Sequence, residues 1–321
     1  MPVNNNLSEI ESFIQNNNEF LLLGHENIDG DCLGSLQGLA YILAEMDKDI
    51  TIGYYQALPD ILQFAVAEDL RFSLIEDEIP DISQVIVLDS SGIDRLGPAV
   101  DISQQAEILN IDHHEDNNFY GDLNYISPAA AATGTIIYNL AREFNWPITD
   151  RAAQNLVLAI VSDTGFFRYS NTDAQTLATV KELMELGADL HKINRALYSQ
   201  NKPERMRLLG RTLSKLEIIA ARKVACLYID EEDYQQTGTT PQDNEGFVNY
   251  ARDIADVEVG ILFSRENNQV KVSFRSNNYV KVNEIAAEFG GGGHPRAAGC
   301  KITGGLTEVS KKVIAEVKNH V

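Results

Sequence analysis

Glu19-Phe20-Leu21-Leu22-Leu23-Gly24-His25-Glu26-Asn27-Ile28-Asp29-Gly30-Asp31 is the stretch that decides the fold. Its first part is a continuous apolar run closed by glycine, the pattern of a parallel strand buried on both faces and running into a loop. Behind the loop, Leu36, Leu39, Ala40 and Leu43 recur at helical spacing, so a helix is expected from Gly34 to Met46. Further strand-like runs follow at Ile50–Tyr54, Val85–Leu88 and Ile108–Ile111. Leu156–Val161 suits a strand or a buried helix, and periodicity does not separate the two. Several of these runs end in a loop that carries Asp, and open α/β sheets bind ligands at the carboxyl ends of their strands. The N-terminal part is therefore expected to be an α/β domain on a parallel sheet.

Outward from that stretch, the chain has 321 residues, enough for two domains that each bury a core. A change comes near residue 190. Asn201-Lys202-Pro203-Glu204 reads as a helix start with Asn201 as cap, and nine basic residues fall between Lys192 and Lys223. Beyond it, Val224–Ile229, Val257–Phe263 and Val270–Phe274 look like strands, with Asn267-Asn268 a hairpin turn between the last two. Val280–Phe289 and Thr307–His320 look helical. The expected division is a domain over 1–190, a connecting helix over 191–212, and a smaller α/β domain over 213–321.

Charge and composition narrow the function. Residues 1–190 hold 31 acidic and 7 basic side chains, whereas residues 191–321 hold 16 and 19, so the overall net charge of -21 lies in the first part. Long duplex nucleic acid is excluded as a partner, because its affinity comes from Lys and Arg neutralising phosphates. Small phosphorylated molecules remain compatible if cations supply positive charge. No apolar run reaches the length of a membrane helix, and Met1–Phe20 lacks the basic start and apolar stretch of a signal peptide, so the cytoplasm is the expected location. Cys32, Cys226 and Cys300 are widely separated, without the spacing of a disulfide framework or a zinc ribbon.

Four segments carry the candidate chemistry. His25, Asp29 and Asp31 bring one imidazole and two carboxylates to one strand-to-helix loop, a donor mixture that suits Mn²⁺, Fe²⁺ or Co²⁺. Asp89 follows the Val85–Leu88 run, Asp112-His113-His114 follow Ile108–Ile111, and Asp163 follows Val161. Asp112 is placed to accept from a ring or backbone N–H beside it. Taken singly, each has a structural explanation: Asp and Gly make turns and caps, and a lone His is usually structural. Taken together, they place several carboxylates close to one another, which is repulsive unless cations sit among them. Two divalent ions about 3.5–4 Å apart would resolve the repulsion and clamp a phosphoryl group for in-line transfer.

His25-x-x-x-Asp29-x-Asp31, Asp89, Asp112-His113-His114 and Asp163 resemble the four motifs of the DHH phosphoesterases, which include RecJ-type exonucleases, family II inorganic pyrophosphatases and the nanoRNase/pAp-phosphatases. Ser273-Phe274-Arg275-Ser276 and Gly291-Gly292-Gly293-His294-Pro295-Arg296-Ala297-Ala298-Gly299 resemble the DHH-associated domain, and the layout resembles the nanoRNase/pAp-phosphatase branch over nearly the whole chain. The resemblance implies a cleft between two domains where short oligoribonucleotides are cut to mononucleotides and 3′-phosphoadenosine 5′-phosphate (pAp) to AMP. It implies two divalent ions, Mn²⁺ first, with Mg²⁺ or Co²⁺ as substitutes. His25, Asp29 and Asp89 would hold one ion, and Asp31, Asp89, His113 and Asp163 the other, with Asp89 shared. A hydroxide between the ions would attack phosphorus, with His114 beside the phosphate; His114, Asp89 and Asp112 form the catalytic group. Arg275, Ser276, Gly291, Gly292, Gly293 and His294 would meet substrate in the second domain, the glycines as a loop that lets backbone come close. Arg168 and Arg296 are further phosphate contacts, with a surface arginine as the alternative for each.

Two departures stand out. Asn27-Ile28 stands where members of the family it resembles often carry an Arg-Pro pair, and Ala131-Ala132-Thr133 stands where a Ser-Ser-Thr stretch is common among them. Neither is expected to touch the metal ligands, and both bear on which nucleotide is preferred. The rival activities are a linear or cyclic dinucleotide phosphodiesterase and a pyrophosphatase or exopolyphosphatase. The rival outside catalysis is a nucleotide-binding regulatory module, whose mark would be lost metal ligands. A homodimer is compatible with the sequence.

Overall fold

A computed structural model describes residues 4–75, 82–104, 106–198 and 201–321. Contacts group the chain into two compact units that meet in sequence between residues 200 and 201.

The first unit runs α1 (Leu7–Asn16), β1 (Glu19–Leu23), α2 (Gly30–Ala44), β2 (Asp49–Tyr54), β3 (Phe72–Leu74), β4 (Gln84–Leu88), β5 (Glu107–Asp112), β6 (Leu123–Ile126), α3 (Thr133–Glu143), α4 (Asp150–Asp163), α5 (Ala174–Glu185) and α6 (Leu190–Tyr198). Its strands form one sheet in the order β3-β2-β1-β4-β5-β6, and each registered pair is parallel. The expected parallel α/β domain is present. Strand β1 shows why its sequence is apolar throughout. Phe20 and Leu22 face a core shared with α2, α3 and α4, while Leu21 and Leu23 face a second core with Val85, Val87 and Ile108. Side chains alternate between faces, so a strand covered on both sides has no polar face to show. The strand order reverses between β1 and β4, and such a switch point leaves a crevice at the carboxyl ends of the two strands.

Leu156–Val161 lies inside α4, so the strand alternative falls. Thr149 caps that helix by accepting from the Ala152 amide (3.2 Å). α4 packs closely on α2 because α2 offers it Gly30, Gly34 and Gly38 in succession. A Cβ at Gly34 would stand 2.5 Å from the Asn155 carbonyl oxygen and 2.7 Å from the Ala159 amide nitrogen. The helices run antiparallel here, Gly30 lying against Ser162 and Gly38 against Leu156. The last turn of α4 is thereby brought to the first turn of α2.

The second unit runs α7 (Pro203–Ser214), β7 (Glu217–Ile219), β8 (Val224–Ile229), α8 (Glu231–Thr237), α9 (Val248–Arg252), β9 (Val259–Glu266), β10 (Gln269–Ser276), α10 (Val282–Glu288), β11 (Gly292–His294), β12 (Ala297–Thr303) and α11 (Leu306–Val317). Its sheet has the order β11-β12-β10-β9-β8-β7, antiparallel except for β8 beside β9. One face packs on α10 and α11, the other on α7 and α9. The Asn267-Asn268 hairpin forms as expected. Helix α7 starts differently from expectation: Lys202 is its cap, with no side-chain hydrogen bond, and Pro203 is the first helical residue. Where one connecting helix was expected, α6 and α7 are separate, and Leu208 and Leu209 of α7 join the core formed by Ala225, Leu227 and Phe247. The glycine segment is not simply a loop, since Gly292–His294 pair as an edge strand with Ala297–Gly299. Among the described residues no helix is long and apolar enough to cross a membrane.

Candidate metal centre

The switch point gathers the side chains singled out in the first unit. His25, Asp29 and Asp31 follow β1, Asp89 follows β4, Asp112-His113-His114 close β5, and Asp163 ends α4. His25 Nε2 stands 3.6 Å from Asp89 Oδ2 and 3.9 Å from Asp29 Oδ1. His113 Nε2 stands 3.6 Å from Asp89 Oδ1, 3.7 Å from Asp31 Oδ2 and 3.8 Å from Asp163 Oδ2. These spacings exceed a hydrogen bond. At metal–ligand bonds of about 2.1 Å, donors on one ion stand at most about 4.2 Å apart, so the spacings fit shared cations. The donor set, imidazole nitrogen with carboxylate oxygen, is that of a first-row divalent ion. Asp89 divides its oxygens, Oδ2 toward His25 and Oδ1 toward His113. Sequence reading missed Cys32, whose sulfur lies within 4.8 Å of donor atoms of His25 and Asp89.

Each carboxylate is held by the fold. Asp29 caps α2, its Oδ1 accepting from the amides of Asp31 and Cys32, both at 3.1 Å. Asp31 caps a different helix: the amides of Thr133 (2.7 Å) and Gly134 (3.1 Å) at the start of α3 donate to it, because the cap position there is Ala132. Ser35 Oγ donates to the same carboxylate at 2.9 Å. Asp89 sits at φ 59°, in the left-handed region, where Asp is tolerated better than most residues. Asp112 is fully buried. It accepts from the His113 amide (2.8 Å), His114 Nδ1 (2.6 Å) and Asn117 Nδ2 (2.7 Å). All its acceptor directions point into protein, so Asp112 orients His114.

Charge in the cluster is finely balanced. Burial opposes the charged form of His113, but Asp31, Asp89 and Asp163 outweigh it and push the pKa up to about 9. Burial would raise Asp89, yet His25 and His113 hold it well below the usual carboxylate range. Burial, then Asp89, push Asp31 well above that range. Burial raises Asp163 to about 6, with His113 opposing and Asp89 reinforcing. His114 is raised because Asp112 outweighs its burial.

Asn117 and Asn171, which the sequence did not single out, and Thr133, which was expected to stay clear, complete the centre. Asn117 Nδ2 donates to Asp112, to Asn110 Oδ1 (2.9 Å) and to the Ser90 carbonyl (3.1 Å). Asn171 Nδ2 donates to Asp163 Oδ2 (3.2 Å) and to the Ala131 carbonyl (3.0 Å). Thr133 Oγ1 donates to Asp89 Oδ1 (3.1 Å). The expectation that Ala131-Ala132-Thr133 stays clear of the ligands is therefore corrected. Ile28 does stay clear, buried in the core beneath α2.

Arg168 is exposed in the turn after Asp163, with Nε donating to the Gly165 carbonyl at 3.0 Å. In the second unit, Ser276 Oγ (2.6 Å) and Arg296 Nη1 (2.8 Å) both donate to the Val280 carbonyl, and Arg275 Nη1 donates to the Phe274 carbonyl at 2.9 Å. Strand pairing accounts for two of the glycines: a Cβ would lie 2.2 Å from the Gly299 oxygen at Gly291 and 2.6 Å from the Ala297 oxygen at Gly293. A Cβ at Gly292 would meet nothing within 4 Å, and Gly292 is exposed.

Comparison with known proteins agrees with this layout. The DHH family N-terminal domain matches residues 19–160, and the DHHA1 domain matches residues 221–319. The bifunctional oligoribonuclease and PAP phosphatase NrnA of Thermus thermophilus is 28% identical over 299 residues, covering 92% of this chain and 88% of that protein. The protein of the same name from Bacillus subtilis is 28% identical over 285 residues, covering 88% of each. The crystal structure of an exopolyphosphatase-related protein from Bacteroides fragilis matches with a TM-score of 0.91 at 23% identity, over 98% of this chain and 96% of that one, and so shares the fold.

Proposed function

We propose, for a chain that belongs to the DHH family and carries a DHHA1 domain later in its sequence, a phosphoesterase activity that cuts short oligoribonucleotides to mononucleotides and pAp to AMP. The observation that carries it is the convergence of His25, Asp29, Asp31, Asp89, His113 and Asp163 on one switch point, at N···O spacings suited to shared cations. The relatives named oligoribonuclease and PAP phosphatase, aligned over most of this chain, supply the substrate class.

His25, Asp29 and Asp89 would hold one divalent ion, Mn²⁺ in the first place, and Asp31, Asp89, His113 and Asp163 would hold a second. When bound, they supply Lewis acidity toward the phosphate and lower the pKa of water. The remaining work falls to the chain. Asp112 holds the His114 ring through Nδ1 and keeps it cationic further toward alkaline pH. That leaves Nε2–H as the proton offered to phosphate or to the leaving oxygen. Arg275 binds the nucleotide in the second unit, the Gly292 backbone approaches it without a side chain between, and the further contact expected of His294 falls on a side chain outside the described residues.

The test is hydrolysis by the purified protein with Mn²⁺, running an RNA dinucleotide, a long RNA strand, pAp and pyrophosphate in parallel. Fast release from the dinucleotide and pAp with a slow long strand is expected. Turnover of pyrophosphate alone would keep the metal centre and overturn the substrate assignment. Gly292→Ala examines the second unit separately, because the new methyl meets no protein atom within 4 Å. It should weaken nucleotide turnover while sparing bis-p-nitrophenyl phosphate, and equal rates on both relative to wild type would remove the backbone-approach role.

A further inference from the structure

The segment 130–134, from the loop after β6 into the first turn of α3, bonds toward a subset of the ligands. The Ala130 carbonyl accepts from His113 Nδ1 at 3.4 Å. A carbonyl only accepts, so this contact places the proton on Nδ1 and leaves Nε2 free for a metal. The Ala131 carbonyl accepts from Asn171 Nδ2 (3.0 Å), and the same amide donates to Asp163 Oδ2 (3.2 Å). The Thr133 and Gly134 amides hold Asp31, and the Thr133 hydroxyl holds Asp89. That hydroxyl reaches Oδ1, the oxygen facing His113, while Oδ2 faces His25. Among the described residues, neither His25 nor Asp29 has a hydrogen bond to this segment. Ala132 and Thr133 are fully buried, so the strap cannot drift with solvent.

We propose that residues 130–134 form a positioning strap for one metal of the pair, the one on Asp31, His113 and Asp163, and that Thr133 is the side chain through which it governs the shared Asp89. This rests on the two-ion reading of the centre. The strap fixes the His113 tautomer, the two oxygens of Asp31 and one oxygen of Asp89, whereas on the His25 side, among the described residues, Asp29 is held by the α2 cap instead. The two sites therefore respond differently to a change in the strap. Thr133 is a positioning residue, since its partners are ligands and it needs to touch neither metal nor substrate.

The experiment is calorimetric titration of the metal-stripped protein with Mn²⁺, paired with the electron paramagnetic resonance spectrum at two equivalents. Wild type should take up two ions and show the broadened spectrum of a coupled pair. Thr133→Val keeps the shape and the amide but removes the donor. It should lower the affinity of one site by about 10–100-fold, the usual cost of an outer hydrogen bond to a ligand, and leave the other within about twofold. At two equivalents its spectrum should shift toward that of an isolated ion, and Thr133→Ser should restore the pair. Asn171→Ala, which removes the link between the strap and Asp163, should weaken the same site and carries the test if Thr133→Val does not fold. Equal weakening of both sites, or of neither, would overturn the strap. A wild-type protein that binds fewer than two ions would instead defeat the two-ion reading itself.

Discussion

Substituting Gly34 by Ala tests whether the approach of α2 to α4 sets the metal centre. The new Cβ would stand 2.5 Å from the Asn155 carbonyl oxygen and 2.7 Å from the Ala159 amide nitrogen, both backbone atoms that cannot swing aside. Ordinary contact requires about 3.5 Å, so the helices must part by about 1 Å. Overpacking of this kind costs about 1–3 kcal/mol, and the better helix propensity of Ala returns about 1 kcal/mol. The net loss of about 1 kcal/mol should lower the melting temperature of the first unit by about 2–4 °C. Activity should suffer more than stability. Asp31 lies in the first turn of α2 and Asp163 in the last turn of α4, so parting the helices separates two ligands. A misplacement of about 1 Å costs about 100-fold in rate. The control is Gly210→Ala, an exposed position in α7 with nothing within 4 Å of the new methyl. It should stabilise its unit by about 1 kcal/mol and leave turnover unchanged. Thermal denaturation and hydrolysis of an RNA dinucleotide read both variants. A Gly34→Ala protein with wild-type turnover and a raised melting temperature, behaving like the control, would refute the claim that this contact positions the centre.

Asp89→Asn keeps a side chain that tolerates the φ of 59° and should keep its circular dichroism spectrum, while dinucleotide hydrolysis falls by more than about 100-fold; near-normal turnover would remove Asp89 from the centre. His113, raised from 6.5 to about 9, is cationic at neutral pH in the metal-free protein, and a ligand must be neutral. Mn²⁺ affinity should therefore climb with pH up to about 9, with a proton released at pH 7 that calorimetry in buffers of different ionisation enthalpy detects. The sign is fixed by the raised folded-state pKa: the stability that the imidazolium lends the metal-free protein is complete below 6.5 and gone above about 9. Asn117→Ala leaves Asp112 Oδ2 and Asn110 Oδ1 short of a donor, at about 1–3 kcal/mol. It should reduce kcat through a loosened His114 with little change in Mn²⁺ affinity, and an unchanged kcat would detach Asp112 from catalysis.

The parts of the fold that were legible are those where sequence pattern and burial agree. β1, β4 and β5 are short apolar runs, the first closed by glycine and the other two by Asp89 and Asp112, as central parallel strands buried on both faces read. α4 was ambiguous because Leu156–Val161 is buried on every side, which erases periodicity; the Thr149 cap lies too far upstream for the run itself to reveal it. The glycines of the second unit read as a loop because glycine is depleted in strands, yet β12 supplies Gly292–His294 with a partner. Among the site residues, Asp and His stood out because their chemistry is scarce and repeated at strand ends. Thr133, Asn117 and Asn171 did not, since Thr and Asn are ordinary loop residues and only tertiary contact shows what they hold. The Gly30, Gly34 and Gly38 spacing was available in the sequence as a sign of close helix packing, and it explains how Asp163, far along the chain, reaches Asp31.

The same groups that close the fold also build the centre, and this has an energetic consequence. Asp29 and Asp31 satisfy the first turns of α2 and α3, so neither can be withdrawn without exposing helix amides. The fold thus gathers carboxylates whose charged forms burial disfavours, Asp31 and Asp163 above all. A cation relieves that cost only in the folded chain, because the unfolded chain does not gather the ligands. Metal should therefore raise the melting temperature of the first unit steeply. At free Mn²⁺ one hundred times the Kd, each occupied site adds about 2.7 kcal/mol, or about 5–11 °C for a unit of this size. Asp89→Asn should lose most of that increment, measured against its own metal-free melting temperature, because one carboxylate oxygen of the centre becomes an amide nitrogen. An increment that survives in Asp89→Asn would mean that Mn²⁺ stabilises the chain through some other acidic surface.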